Sequence, residues 1–290
     1  FNFISNLNAI STQINRINSK LFLKKKESIY SSGNIYINKK NSNFKSRNIF
    51  YTLNSLSYKY YKSNKYAIKN INCEFIKGQK ICIIGKSGSG KSTIADILCG
   101  LLSPTKGDIT INKNSIYNNN ANLKYWKSKI SYIPQNYTMI SDNIIKNIIF
   151  DHDINNINYE RMKKSIKVAQ LDKTISLEDI DSLKYNANKL SGGQKQRINI
   201  ARGLYKEADI YLFDEITSSL DVITKKNLID SIFKFLKKKT VIFITHDLTY
   251  LDKFDKIIFI ENGQVVIQGN FEYLIKNSDK FFRYFNQIQM

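Results

Sequence analysis

Along residues 1–24 the apolar side chains Ile10, Ile14, Ile17 and Leu21 recur at helical spacing, which predicts one amphipathic helix. Residues 25–48 show no period and are basic and rich in Ser and Asn, as a linker is. From Ile49 the period changes. "IFYTLNSLSYKYY" alternates apolar and polar positions, and "YAIKNINCEFIKGQKICIIG" holds two further runs. Antiparallel strands leading into a buried strand are predicted. "STIADILCGLL" (92–102) reads as the helix after a glycine loop, and "GDITIN" as a returning strand. After Gln135 the patterns are mostly helical to about residue 206. "DIYLFDE" (209–215) and "TVIFITHD" (240–247) are β-branched runs with no polar face, as parallel strands covered on both sides are. Buried strands alternating with helices predict an α/β core whose ligand sites lie at the strands' carboxyl ends.

Composition narrows the class. With 290 residues, 42% of them hydrophobic and 12% aromatic, the chain can bury a core and is not a disordered polymer. No apolar run is long enough to predict a membrane-spanning helix. Cys73, Cys82 and Cys99 lack metal-ligand spacing and sit in apolar settings, which predicts buried thiols in a reducing compartment. His152 and His246 are too few for a histidine metal cluster. The chain opens at Phe1 without a Met or a signal pattern, so a fragment of a longer protein is expected. The net charge of +21 suits nucleic acid or an anionic membrane surface. Abundant Lys, Asn, Ile and Tyr also fit the bias of an AT-rich genome.

"GKSGSGKST" (85–93) supplies the chemistry. Gly85, Gly90, Lys91 and Ser92 fit G-x-x-x-x-G-K-[ST], with Gly88, Ser89 and Thr93 in the same loop. Glycines let successive amides converge on phosphate oxygens at the positive end of a helix. Lys91 then reaches the β/γ-phosphates, and the Ser92 hydroxyl ligates Mg²⁺. The bland alternative is a glycine turn before a helix, which the strand before and helix after argue against. "IYLFDE" ends a strand with two acids. Asp214 can hold Mg²⁺ through its water shell, and Glu215 can orient and deprotonate an attacking water.

"LSGGQKQR" (190–197) adds a second Ser-Gly-Gly loop far beyond the first. With it the chain, over about residues 49–275, resembles the ATP-binding cassette (ABC) family. That resemblance implies a P-loop NTPase fold: a RecA-like α/β core, an antiparallel β subdomain and a helical subdomain at about 136–206. It implies ATP and Mg²⁺ as ligands. It also implies that Ser191, Gly192, Gly193 and Gln194 complete the nucleotide site of a second cassette, expected to be another copy of this chain. Gln135 in "ISYIPQ" is similar to the family's Q-loop glutamine, which senses Mg²⁺ and water. Asp221 in "SSLD" resembles the D-loop aspartate, and His246 the switch histidine at the γ-phosphate. His152 matches no motif. The aromatic platform for adenine is Tyr58, Tyr60 or Tyr61, the count back from "AIKNIN" favouring Tyr60. The family's Glu-Arg-Gly-like segment before the signature is replaced by "DSLKYNANK", which puts its coupling role in doubt.

Three machines share these motifs. "YIPQNYTMISDNIIKNI" resembles the exporter pattern, and "INRINSKLFLKKKE" and "LSGGQKQRINIAR" look most like those of peptide and bacteriocin exporters. Residues 1–24 would then be the cytosolic end of a last membrane helix, with the transmembrane domain outside this chain. A chromosome or repair ATPase would need long heptad arms between Gly90 and Ser191, for which there is no room. A translation factor would carry a second cassette. The reading is thus an exporter's ATPase at the cytoplasmic face of a membrane, with an ATPase acting on nucleic acid or ribosomes as the alternative. No nucleic-acid partner is expected, and the positive charge would face anionic inner-leaflet lipid.

Overall fold

The computed structural model describes residues 49–140, 143–150, 157–172, 190–217 and 220–289. The segments read as a helix and a linker (1–48), His152 and "DSLKYNANK" lie outside them. Two sheets organise the described part. The first is antiparallel, in the order β2-β1-β4-β5: β1 (Ile49–Tyr58), β2 (Ile68–Ile76), β4 (Lys106–Ile111) and β5 (Asn114–Ser115). The pairing of β1 with β2 is irregular at three places, one of which matters here. Its register slips between Leu53 and Leu56, where Ser55 has φ 49°. This bulge leaves Asn54 and Ser55 exposed together and returns Leu56 to the core. Gly107 on the neighbouring strand makes room, since a Cβ there would lie 2.4 Å from the carbonyl oxygens of both residues.

The second sheet runs β10-β9-β3-β8-β7-β6. β3 (Lys80–Ile84), β6 (Ile130–Ile133), β7 (Ile210–Asp214), β8 (Thr240–Thr245) and β9 (Lys256–Glu261) are parallel, and β10 (Gln264–Gly269) closes one edge antiparallel. Alternate residues of β3 enter different cores. Ile81 and Ile83 join one with Trp126 and the first sheet, while Cys82 and Ile84 join another with Phe213 and Phe243. Burial on both faces explains why "KICII" has no polar period.

Helix α1 (Lys91–Leu98) follows β3 and stops short of the predicted residue 102. Gly100 takes φ +66°, and the amide of Leu101 turns back to the Asp96 carbonyl at 2.8 Å, closing the helix end. Helix α2 (Asn120–Lys129) was not legible as a period, because it buries only Trp126, whose indole donates to the Leu98 carbonyl. Beyond β6 come α3 (Ile144–Ile149), α4 (Tyr159–Val168) and α5 (Gly192–Tyr205), the described part of the predicted helical region. α5 passes so close to β6 that a Cβ on Gly203 would lie 2.2 Å from Ile133 Cγ1. Helix α6 (Val222–Phe235) precedes β8. The β9–β10 hairpin turns at Asn262-Gly263, both with positive φ, and α7 (Phe271–Asn277) and α8 (Asp279–Gln289) follow it.

The three cysteines are free and buried, as expected, and burial raises all three thiols, Cys73 to about 11. The loop after β8 is pinned by Asp247. Its carboxylate accepts from Lys225 of α6 at 2.7 Å and from the amide and hydroxyl of Thr249. Burial pushes this carboxyl up, but those donors outweigh it and hold it below the ordinary value. A depressed carboxyl stabilises the fold above its unfolded pKa and loses that contribution as pH falls through the folded one. Asp247→Asn is therefore expected to cost about 1–2 kcal/mol in urea unfolding at pH 7. The difference from the parent chain should fade below about pH 4; a penalty independent of pH would show that packing, not charge, is involved.

Candidate functional site

Four adjacent parallel strands, β3, β8, β7 and β6, end at the same edge of the sheet. The next residues along the chain are Gly85, His246, Glu215 and Pro134-Gln135. Residues from four separate stretches of sequence are thus set side by side, one strand spacing apart.

The loop 85–90 needs its glycines for steric reasons. A Cβ on Gly85 would lie 2.2 Å from the Ile260 carbonyl oxygen, and one on Gly90 would lie 2.7 Å from that of Ala67. Gly88 has open space, but φ +77° excludes most other residues. Gly90 at the N-cap of α1 offers no side-chain cap, so the first amides of the helix are free to face an anion. The Lys91 ammonium donates to the carbonyls of Gly85 at 2.8 Å and Lys86 at 3.0 Å, and burial lowers its pKa while Glu215 and Asp214 raise it. The buried Ser89 hydroxyl has no partner among the described residues, an orphan that a phosphate oxygen would satisfy. Ser92 is exposed in the first turn of α1. Beside it, the Tyr60 hydroxyl bonds the Thr93 hydroxyl at 3.1 Å, its ring half-exposed. Tyr58 packs edge-on against Tyr60, and Tyr61 is 90% exposed under Lys62.

Glu215 is the centre of the strand-end cluster. Its Oε2 accepts from Gln135 Nε2 at 2.9 Å, and its Oε1 lies 3.4 Å from His246 Nδ1. The residue adopts φ 49°, a left-handed conformation that costs about 1–2 kcal/mol for a side chain with a Cβ. Asp214 is 6% exposed, and its Oδ2 accepts from the Tyr132 hydroxyl at 3.0 Å. Burial raises the Asp214 carboxyl to about 6, with Glu215 and Asp96 pushing the same way and Tyr132 and Lys91 opposing. Among the described residues no group of three or more His, Cys, Asp and Glu could hold an ion. Ser92 and Asp214 with phosphate oxygens nevertheless fit Mg²⁺, which commonly takes one or two protein ligands and keeps water.

The signature residues lie on α5 and do not join this cluster. Ser191 and Gln194 form a capping box: Ser191 Oγ accepts the Gln194 amide and Gln194 Oε1 accepts the Ser191 amide. Gly192 and Gly193 have ordinary helical backbones, and among the described residues a Cβ on either would meet nothing within 4 Å. Asp221 caps α6, accepting from the Thr224 amide at 2.9 Å. α5 nevertheless braces the cluster, since Gln196 donates to the Ile216 carbonyl and Asn199 to that of Pro134. Tyr137, two positions past Gln135, donates to the Gly192 carbonyl at 2.7 Å.

Sequence reasoning missed several of these supports. Tyr132 and Tyr137 carry no signal without the strand order. Gly263 could have been found from the Asn-Gly turn. Its amide donates to the Ser89 carbonyl and its own carbonyl accepts from the Lys69 amide, so the hairpin buttresses the glycine loop.

Comparison with known proteins places this geometry. A family model described as "ABC transporter" matches residues 68–218. The chain is 28% identical over 235 residues to the ATP-dependent lipid A-core flippase of Idiomarina loihiensis, covering 80% of this chain and 40% of that protein. It is 30% identical over 236 residues to the pediocin PA-1 transport/processing ATP-binding protein PedD of Pediococcus acidilactici (80% and 32%). To the lactococcin-G-processing and transport ATP-binding protein LagD of Lactococcus lactis it is 32% identical over 224 residues (76% and 31%). The chain thus spans about a third to two-fifths of the length of these relatives. The solved structure of a bacterial Atm1-family ABC exporter with ATP bound superposes with a TM-score of 0.74 at 25% identity, covering 84% of this chain and 42% of the other. With the glycine loop, the strand-end acids and the Ser-Gly-Gly helix on one such fold, the chain belongs to the ABC transporter family, as its ATP-binding cassette.

Proposed function

We propose that the chain is the ATP-hydrolysing motor of an exporter, working in pairs against a transmembrane domain. The phosphate loop, with Gly85, Gly88, Ser89, Gly90, Lys91, Ser92 and Thr93, holds the nucleotide's phosphates, and Tyr60 stacks on adenine. Bound Mg²⁺, held by Ser92 and Asp214 with Gln135 nearby, would neutralise phosphate charge. Glu215, held at one oxygen by Gln135 and facing His246 at the other, is placed to take a proton from the attacking water. Transport roles in the relatives' names favour an exporter over an ATPase acting on nucleic acid, and peptides are one cargo class among those names.

The observation that carries the pairing is the contrast between glycines. Gly203 is demanded by Ile133, whereas nothing among the described residues demands Gly192 or Gly193. Each loses more conformational freedom on folding than a residue with a side chain would. A surface approaching from outside, the phosphate loop of a second cassette, accounts for them. Asp221 would then bridge the two copies, and ATP would favour the closed pair because only that state presents both halves of the site. The cassette would lie at the cytoplasmic face, its +21 charge near anionic lipid.

Light scattering on Glu215→Gln should show monomers without nucleotide and dimers with Mg-ATP; a monomer that binds ATP would refute pairing by this chain alone. Turnover in that variant should fall at least about a hundredfold, in line with loss of a general base. Lys91→Ala should lose ATP binding by at least about tenfold, measured by fluorescent-nucleotide titration. Adding Gly193→Ala to the Glu215→Gln chain should leave its melting temperature equal or higher yet abolish the dimer. A lowered melting temperature would mean that the glycine serves the fold.

A further inference from the structure

We infer that Tyr132 is the positioning residue for Asp214: its hydroxyl holds one carboxylate oxygen so that the other is presented to the metal of the bound nucleotide. The inference rests on the ATPase reading above and concerns a residue to which that reading gives no role.

The register creates the contact. β6 and β7 pair parallel with Tyr132 opposite Leu212, and directly paired residues point to the same face of a sheet. Asp214, two residues beyond Leu212, shares that face by alternation. It is the α1 face, where Tyr132 packs against the core that holds Leu212 and Ile97. A tyrosine is long enough to bridge two residues of strand rise, and its hydroxyl meets Asp214 Oδ2 at 3.0 Å. This is the only hydrogen bond that the Asp214 carboxylate makes among the described residues. The phenol is the donor in this bond and the carboxylate oxygen the acceptor.

Asp214 has reason to need such a partner. It is buried beside Glu215 and Asp96, and the nearby Lys91 ammonium competes for its charge. A carboxylate with both oxygens free to rotate could turn towards Lys91. With Oδ2 engaged, its plane is set and Oδ1 is the oxygen left for the metal's water shell. Metal-binding carboxylates are commonly oriented by a further hydrogen bond, whose loss weakens metal affinity about 10- to 100-fold.

The test is Tyr132→Phe, which keeps the packed ring and removes the hydroxyl. Nucleotide binding is measured by titration with ADP in EDTA, and metal binding by electron paramagnetic resonance of Mn²⁺ with saturating ADP. The expected result is unchanged ADP affinity in EDTA and Mn²⁺ binding about tenfold weaker. In an Asp214→Asn background the same change should have no further effect on Mn²⁺, because the hydroxyl acts through that carboxylate. Mn²⁺ affinity within about twofold of the parent, or an equal loss in both backgrounds, overturns the inference. ADP binding weakened in EDTA would show a general disturbance of the site and overturns it as well. A parent chain that binds no nucleotide at all would overturn the ATPase reading itself, a result visible before any variant is made.

Discussion

Hydrogen bonding between the backbones of β3, β8, β7 and β6 is the interaction on which the rest of this molecule depends. A buried strand must pair its amides and carbonyls, and parallel pairing sends all the carboxyl ends to one edge. Glycine loop, acid pair, histidine and glutamine then meet without any of them having been selected as neighbours in sequence. Gly85, Glu215, His246 and Gln135 each follow the last strand residue by one or two positions, where the chain is released from strand geometry. The left-handed Glu215 is held at that release point by its amide's bond to the Ile244 carbonyl.

The second constraint is charge in a poorly solvated place. Lys91, Asp214 and Glu215 crowd together, and burial drives Lys91 and Asp214 towards neutrality. The fold answers with directional hydrogen bonds. Lys91 is met by carbonyls, Asp214 by a phenol and Glu215 by an amide from Gln135. Such an arrangement holds charged groups in fixed directions and leaves them reactive towards a ligand that brings both charges and hydrogen-bond partners.

α5 connects this cluster to a different surface. One side of the helix grips the segments of Gln135 and Glu215 through Asn199 and Gln196, while its N-terminus carries the self-capped Ser-Gly-Gly turn away from them. Tyr137 is a further tie between the Gln135 segment and the Ser-Gly-Gly turn.

The parts readable from sequence were those that depend on short range. "GKSGSGKST" declares its turn because glycines and a lysine must stand at fixed offsets to wrap a phosphate, and the apolar strands declare themselves by lacking a polar face. The C-terminal hairpin and helices were legible in part through Asn262-Gly263 but were not predicted, and α2 was hidden because one tryptophan does its packing. Which strands lie side by side was not readable at all. β8 inserts between β3 and β7 from far along the chain, and only that order brings His246 to Glu215. Tyr132 and Gly263 acquire their roles in the same way. Sequence by itself determined the chemistry each loop could perform, because that chemistry follows from residue types and local spacing. Tertiary structure alone decided which loops act together, because neighbourhood across a sheet is settled by pairing between distant segments.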